Sequence, residues 1–189
     1  MEQHQTDTRR DVVRCTFNGL SEIALQSNGP TYVFAHLYVP HPPFIFGPNG
    51  ENVTPDHSEI SGLQSWENPQ GYVNQLIYAT NEISIVIKNI VENDPNAIII
   101  LQGDTGTLTG TDISTTTIKD VYQSQSILYA VRIPDVNNFE NAIPVNTYRI
   151  IFNNYFDMNY EYLEHRIYMV DENNTLKDIT KTIYEYRFD

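Results

Sequence analysis

The sequence predicts an α/β domain with helices on both sides of a mostly parallel sheet. Three observations carry that expectation. "TYVFAHLYV" (31–39) is apolar nearly throughout and rich in β-branched and aromatic residues, as a strand covered on both faces would be. "AIIILQGD" (97–104) repeats the pattern and ends on polar residues. Between them Val73, Leu76, Ile77, Thr80, Ile83, Ile87, Ile90 and Val91 keep helical spacing over about five turns. Strand, long crossover helix, strand is a βαβ unit, and such units are almost always right-handed with parallel strands.

The remaining elements follow in order. Residues 1–11 read as a flexible N-terminus. A helix over about 12–27 carries Val13, Phe17, Leu20 and Ala24 on one face, and Gly29 and Pro30 stop it. From Pro42 to Pro69 the chain is rich in glycine and proline, a long connection of the kind that often serves function. Asn93 and Pro95 end the central helix. "QSILYAVRI" reads as a third strand, and "PVNTYRIIFNNYF" as a helix with Pro144 in its first turn. "RIYMV" and "TIYEYRF" alternate as short strands or a hairpin would.

Composition narrows the partners. The chain has 189 residues, the size of one ordinary domain, and 40% of them are hydrophobic. The formal net charge of -13 repels phosphate backbones and anionic membrane surfaces, so nucleic acid is not an expected partner. Cys15 is the lone cysteine and has no intrachain partner. No apolar run approaches the roughly 20 residues that span a bilayer, and "MEQHQTDTRRD" has no signal-peptide core. The chain as given is therefore expected to be soluble and to reside in a reducing compartment.

In open α/β sheets ligands bind at the carboxyl ends of strands. His41 follows strand 31–39 and Asp104 ends strand 97–103, so the two are expected at one rim. "FAHLYVPHPPFIFGPNG", "IIILQGDTG" and "IPVNTYRIIFNNYF", in that order, resemble the sulfatase-like branch of the alkaline phosphatase superfamily. The similarity runs to membrane-anchored sulfatase-like proteins of cell-envelope gene clusters, lipoteichoic acid synthases and phosphoethanolamine transferases. It covers about residues 12–170 and only the carboxyl-terminal half of that family's catalytic domain.

The resemblance implies a partial three-layer fold over 12–189 and a chemistry of metal-assisted phosphoryl or sulfuryl transfer. In the complete family site a divalent metal (Zn, Mn, Mg or Ca) lowers the nucleophile's pKa and neutralises developing charge. Asp104 corresponds to an aspartate ligand and Gly106 to the glycine that follows it. Thr105 stands where the family has a histidine ligand, and a hydroxyl binds such a metal far more weakly than imidazole. His41 corresponds to the histidine that faces the substrate's anionic group, and His36 to a second histidine on the substrate side. The nucleophile and the other ligands belong to the family's amino-terminal half, so no catalytic residue is assigned and no cofactor is expected in the isolated chain.

The expected function is an incomplete or degenerate sulfatase-like domain, not catalytic by itself. Two alternatives stay open: a metal-dependent hydrolase or transferase completed by a separate amino-terminal half, and a non-catalytic anion-binding module using His41. The expected partners are that separate half or a second copy, with strand 97–103 as the open edge. A cell-envelope location is implied for the complete family protein.

Other motifs carry less. "DTG" occurs once, whereas aspartic proteases need two such aspartates sharing a proton. "GTLTGTDISTTT" lacks the lysine of a P-loop. No G-x-S-x-G elbow is present. "NVT" at Asn52 and "NNT" at Asn173 fit the glycosylation pattern but come without a secretory signal. The tyrosines, scattered through the elements, read as packing with a wet hydroxyl.

Overall fold

The computed structural model describes residues 2–26, 29–61, 66–108, 117–137, 139–170 and 173–188. Met1–Ala97 and Ile98–Asp189 form two compact units. The first holds helices α1 (Glu2–Gln26), α2 (His57–Ser61) and α3 (Pro69–Asn93). The second holds β1 (Ile99–Gln102), α4 (Ile118–Gln125), β2 (Tyr129–Arg132), α5 (Thr147–Tyr155), β3 (Tyr168–Val170), β4 (Leu176–Asp178) and α6 (Thr180–Phe188). A short 3-10 turn, Pro144–Asn146, leads into α5.

The expected mostly parallel sheet flanked by helices is not what forms. Among the described residues there are two small sheets, β1–β2 and β3–β4, and both are antiparallel. The reason lies in α3. It packs on α1 inside the first unit, so it does not cross over a sheet shared by 31–39 and β1. Without that crossover nothing imposes parallel pairing, and β1 meets β2 with Ile99 opposite Arg132 and Gln102 opposite Tyr129. The three-layer arrangement falls with it.

In the first unit α1 begins at Glu2, ten residues earlier than its apolar face suggests. Arg10 explains why: its side chain is buried and ties the early turns to the chain beyond α1. Asn68 caps α3 by accepting a 2.8 Å bond from the Gly71 amide, and Pro69 fills the first helical position. The core joins Val13 and Phe17 of α1, Ile45 and Phe46 of the connection, and Tyr78 and Val86 of α3. Ile83 and Ile90 pack against it. Part of the expected apolar stripe faces away: Val73, Leu76 and Ile77 are exposed, while Gln75 between them is fully buried.

The segment 31–39 is no paired strand. It runs without turn or bend from Pro30 to Val39 and enters no sheet. Leu37 and Val39 pack against the core. Tyr32, Phe34 and Tyr38 are 76%, 79% and 64% exposed. Leu37 and Val39 thus seat the end of a strand-like ribbon on the first unit's core, while residues 31–36 are exposed on both faces. The Val39–Pro40 and Pro42–Pro43 peptide bonds that follow are cis.

In the second unit Ile133, Ile150 and Ile151 form the core, with Ile100 and Val131 of the β1–β2 ladder against it. Thr117 and Asp120 make a reciprocal capping box at the start of α4. The tail departs from expectation. β3 pairs with Leu176–Asp178, and "TIYEYRF" lies in α6 rather than in a strand. Asp178 accepts from the Thr180 amide at 3.0 Å where that helix begins, which gives the orphan amides of its first turn a partner.

The stretch 157–167 belongs to no helix or strand and has no bend. Two asparagines hold it. Asn146 donates to the Leu163 carbonyl and accepts from the Leu163 amide, both at 2.9 Å. Asn153 does the same to Tyr160, at 2.9 and 2.7 Å. Seven helical residues advance about 10.5 Å, and three extended residues cover about 10 Å. The clamps therefore fit a nearly extended chain running antiparallel to α5. Asn146, fully buried, is the stronger one. Asn146→Ala should lower stability by about 2 kcal/mol and the half-buried Asn153→Ala by about 1. Hydrogen exchange at the Leu163 and Tyr160 amides should rise in the matching variant. Unchanged exchange at Leu163 in Asn146→Ala would show that the segment is held by other means.

Candidate functional site

His41 and Asp104 lie in different units and in different kinds of surroundings. His41 follows the 31–39 ribbon, with an exposed ring whose Nδ1 is 2.7 Å from the Pro42 carbonyl oxygen. A carbonyl can only accept, so Nδ1 carries a hydrogen and donates. In the neutral ring Nε2 is then an acceptor. An anion needs a donor, so only the protonated ring could hold one through Nε2.

The imidazoles sit in a run of rings. His36 stacks near Tyr38 at 5.8 Å between centroids, Tyr38 near His41 at 5.0 Å, and His41 near Trp66 at 5.4 Å. Phe44 and Tyr72 close the run beyond Trp66. His36 was expected inside an apolar strand, and it is instead exposed on the ribbon.

Asp104 is exposed in the turn after β1 and makes no hydrogen bond or ion pair among the described residues. Its neighbours have local tasks. The Gly103 amide extends the ladder to Leu128 O at 2.8 Å. The Gly106 amide donates to Ser124 O at 2.7 Å, and a Cβ at Gly106 would stand 1.9 Å from the Gln123 carbonyl oxygen. Only glycine lets this turn lie so close to the end of α4. Thr105 Oγ1 donates to Gly106 O at 2.9 Å. Thr105 and Gly106, two of the three residues that match the family's ligand triplet, are thus accounted for by turn packing.

The fit to a divalent metal is poor. Asp104 supplies one carboxylate, and the Thr105 hydroxyl is engaged with a backbone carbonyl. Among the described residues no group of three or more His, Cys, Asp or Glu side chains could hold a metal ion. Residues 109–116 of the Thr-rich stretch lie outside the described residues, as do 62–65 of the long connection.

That long connection has an architectural task instead. Phe44, Ile45 and Phe46 are buried at its centre. Buried side chains from three helices satisfy their backbone. Glu59 accepts from Phe44 N at 3.1 Å, and Gln75 from Ile45 N and Phe46 N at 2.8 and 3.2 Å. Arg10 donates to Ile45 O at 3.0 Å and also to Val53 O. "FGPNGEN" turns back on itself, with Gly50 at φ +82° and Phe46 bridged to Asn52. A Cβ at Gly50 would also meet the Tyr78 ring at 2.9 Å.

Arg14, Asn18, Asn49, Gly50, Tyr78 and Glu82 line a shallow polar hollow beside that turn. Arg14 is spent on it, donating to Gly50 O and Asn52 Oδ1 at 3.0 and 2.8 Å and lying over the Phe46 ring. Burial, with Glu82 adding to it, raises the Tyr78 pKa, and Arg14 opposes that rise. The hollow holds the hairpin to both helices.

No protein-family model, curated protein or solved structure matches this chain. No helix among the described residues is long and apolar enough to cross a membrane.

Proposed function

We propose that this chain is an incomplete sulfatase-like domain, not catalytic by itself, that is completed by another polypeptide. The observation that carries the reading is the 31–39 ribbon. It has strand composition, runs without turn or bend, and presents Tyr32 and Phe34 more than three-quarters exposed. Strands stay unpaired and uncovered in this way only at cost, because water must solvate both the backbone groups and the rings. The exposed stripe Val73, Leu76 and Ile77 on α3 is a second uncovered apolar surface in the same unit. The sulfatase-like character rests on the sequence motifs around His41, Asp104 and Pro144.

The reading has direct tests. Zn²⁺ and Mn²⁺ should bind weakly, since Asp104 alone cannot close a site that needs three or four protein ligands. Thr105→His, at an exposed position, should tighten binding by about tenfold at most. Neither protein should turn over a nitrophenyl phosphate or sulfate. Calorimetric titration giving submicromolar affinity for the unaltered chain would overturn the reading. So would turnover that Asp104→Asn abolishes.

A further inference from the structure

We infer that the open ribbon is occupied by the same ribbon of a second copy, paired antiparallel with Ala35 opposite Ala35. This rests on the reading above that the first unit leaves a strand edge open, and it names what fills it. Four observations carry it.

The first is the backbone. From Tyr32 to Tyr38 none of the amide or carbonyl groups makes a hydrogen bond among the described residues. A row of unpaired backbone donors and acceptors is a template for another strand.

The second is the order of residue types about Ala35. Phe34 and His36 flank it, then Val33 and Leu37, Tyr32 and Tyr38, Thr31 and Val39, and finally Pro30 and Pro40. A two-fold axis through Ala35 sets each member of a pair against the other from the second copy. Tyr32 meets Tyr38 and Phe34 meets His36, so ring faces ring on one side of the pair. The two prolines, which cannot donate, stand opposite each other and end the pairing at both ends alike. An isologous contact requires this self-complementarity.

Third, the alternatives are worse. A shift of one residue sets Leu37, which packs on the core, against the exposed ring of Tyr32 or Phe34. Centring on Phe34 sets Tyr38 against Pro30. Centring on His36 sets Tyr32 against Pro40 and imidazole against imidazole.

The fourth is charge. The chain carries -13, yet residues 29–49 contain no Asp, Glu, Lys or Arg. Two copies can join here without opposing like charges. The acidic residues lie elsewhere in the chain, and salt screens charges beyond about 8 Å at physiological strength.

Sedimentation of the full chain should show a dimer. Ala35→Lys sets two ammonium groups directly opposite each other at an exposed position, and should weaken the dimer by about tenfold or more. With Cys15→Ser to remove the native thiol, Ala35→Cys should cross-link two copies under mild oxidation much faster than Val33→Cys. Equal cross-linking rates, or a dimer unaffected by Ala35→Lys, would overturn the pairing. A monomer at high concentration would overturn it too, and hydrogen exchange then separates the two readings. Fast exchange at 32–38 in that monomer leaves the open edge standing without a second copy. Slow exchange there sinks both.

Discussion

Gln75→Leu is expected to lower stability by about 3–4 kcal/mol, the largest single-residue loss in the first unit. Gln75 is completely buried on α3. Its Oε1 accepts from the Ile45 and Phe46 amides, and its Nε2 donates to the His41 carbonyl at 3.0 Å. Leucine fills nearly the same volume, so little cavity forms, and the loss measures polar satisfaction alone. Each of the two amides lies in the core and would keep no partner, at about 1–3 kcal/mol apiece. The His41 carbonyl is nearer the surface and can find water. Gln75→Glu is the informative companion. An ionised carboxylate accepts from both amides but is costly to bury and faces His41 O, whereas the protonated acid can donate to it, so the loss should shrink as pH falls. Urea unfolding followed by fluorescence of Trp66, the only tryptophan, reports on this unit because its ring lies 6.3 Å from that of Phe44. A leucine variant within about 1 kcal/mol of the parent would mean the 44–46 backbone is held without Gln75.

Gln75 also shows where the sequence misleads. The period of α3 is legible, and the helix forms as Pro69–Asn93. The choice of face is not. Aliphatic residues at Val73, Leu76 and Ile77 outweigh a glutamine in any hydropathy pattern, yet the glutamine is inside and they are not. A buried amide that serves backbone groups thirty residues away leaves no local signal. The short strands 99–102 and 129–132 fall inside the segments expected for them, because aliphatic runs bounded by turn residues are a local property. Their direction is not local, and it followed the wrong assumption that α3 crosses between strands. The ribbon 31–39 was read as covered on both faces from its unbroken apolarity. The structure seats only Leu37 and Val39 at its end, so the same composition that marks a doubly covered strand also marks an uncovered one.

The candidate site was legible only as types of residue. His36, His41, Asp104, Thr105 and Gly106 were picked out by motif, and all but Asp104 have a local explanation in the structure. Thr105 and Gly106 serve a turn against α4, and the histidines belong to a run of rings ending at Trp66. Asn146 and Asn153 were missed. Their spacing of two helical turns is a recoverable signal, since asparagine is a poor helix former and two on one face invite a reason. Arg10 was missed because the residues around it look like a polar tail.

That tail yields the second large effect. Arg10→Met is expected to destabilise the first unit by about 2–4 kcal/mol. The guanidinium is 2% exposed although it sits among the first turns of α1. Its Nε donates to Ile45 O at 3.0 Å, Nη2 to Val53 O, and Nη1 to Asp7 Oδ1 at 2.7 Å. One planar group therefore joins α1 to both sides of the hairpin that carries Gly50. Methionine keeps much of the apolar stem but removes the charged donor from both carbonyls, leaving Ile45 O with the Val53 amide alone, at 3.0 Å. Arg10→Lys should recover little of the loss, because a single ammonium cannot reach in two directions as the fork does. Asp7 is half exposed, so Asp7→Asn should cost under about 1 kcal/mol. The expected order of loss is methionine, then lysine, then the Asp7 variant, read as urea midpoints with Trp66 fluorescence. If Asp7→Asn costs as much as Arg10→Met, the ion pair rather than the two carbonyls holds the arginine in place. If none of the three moves the midpoint, residues 2–11 contribute nothing to the fold and behave as the flexible N-terminus their composition suggests.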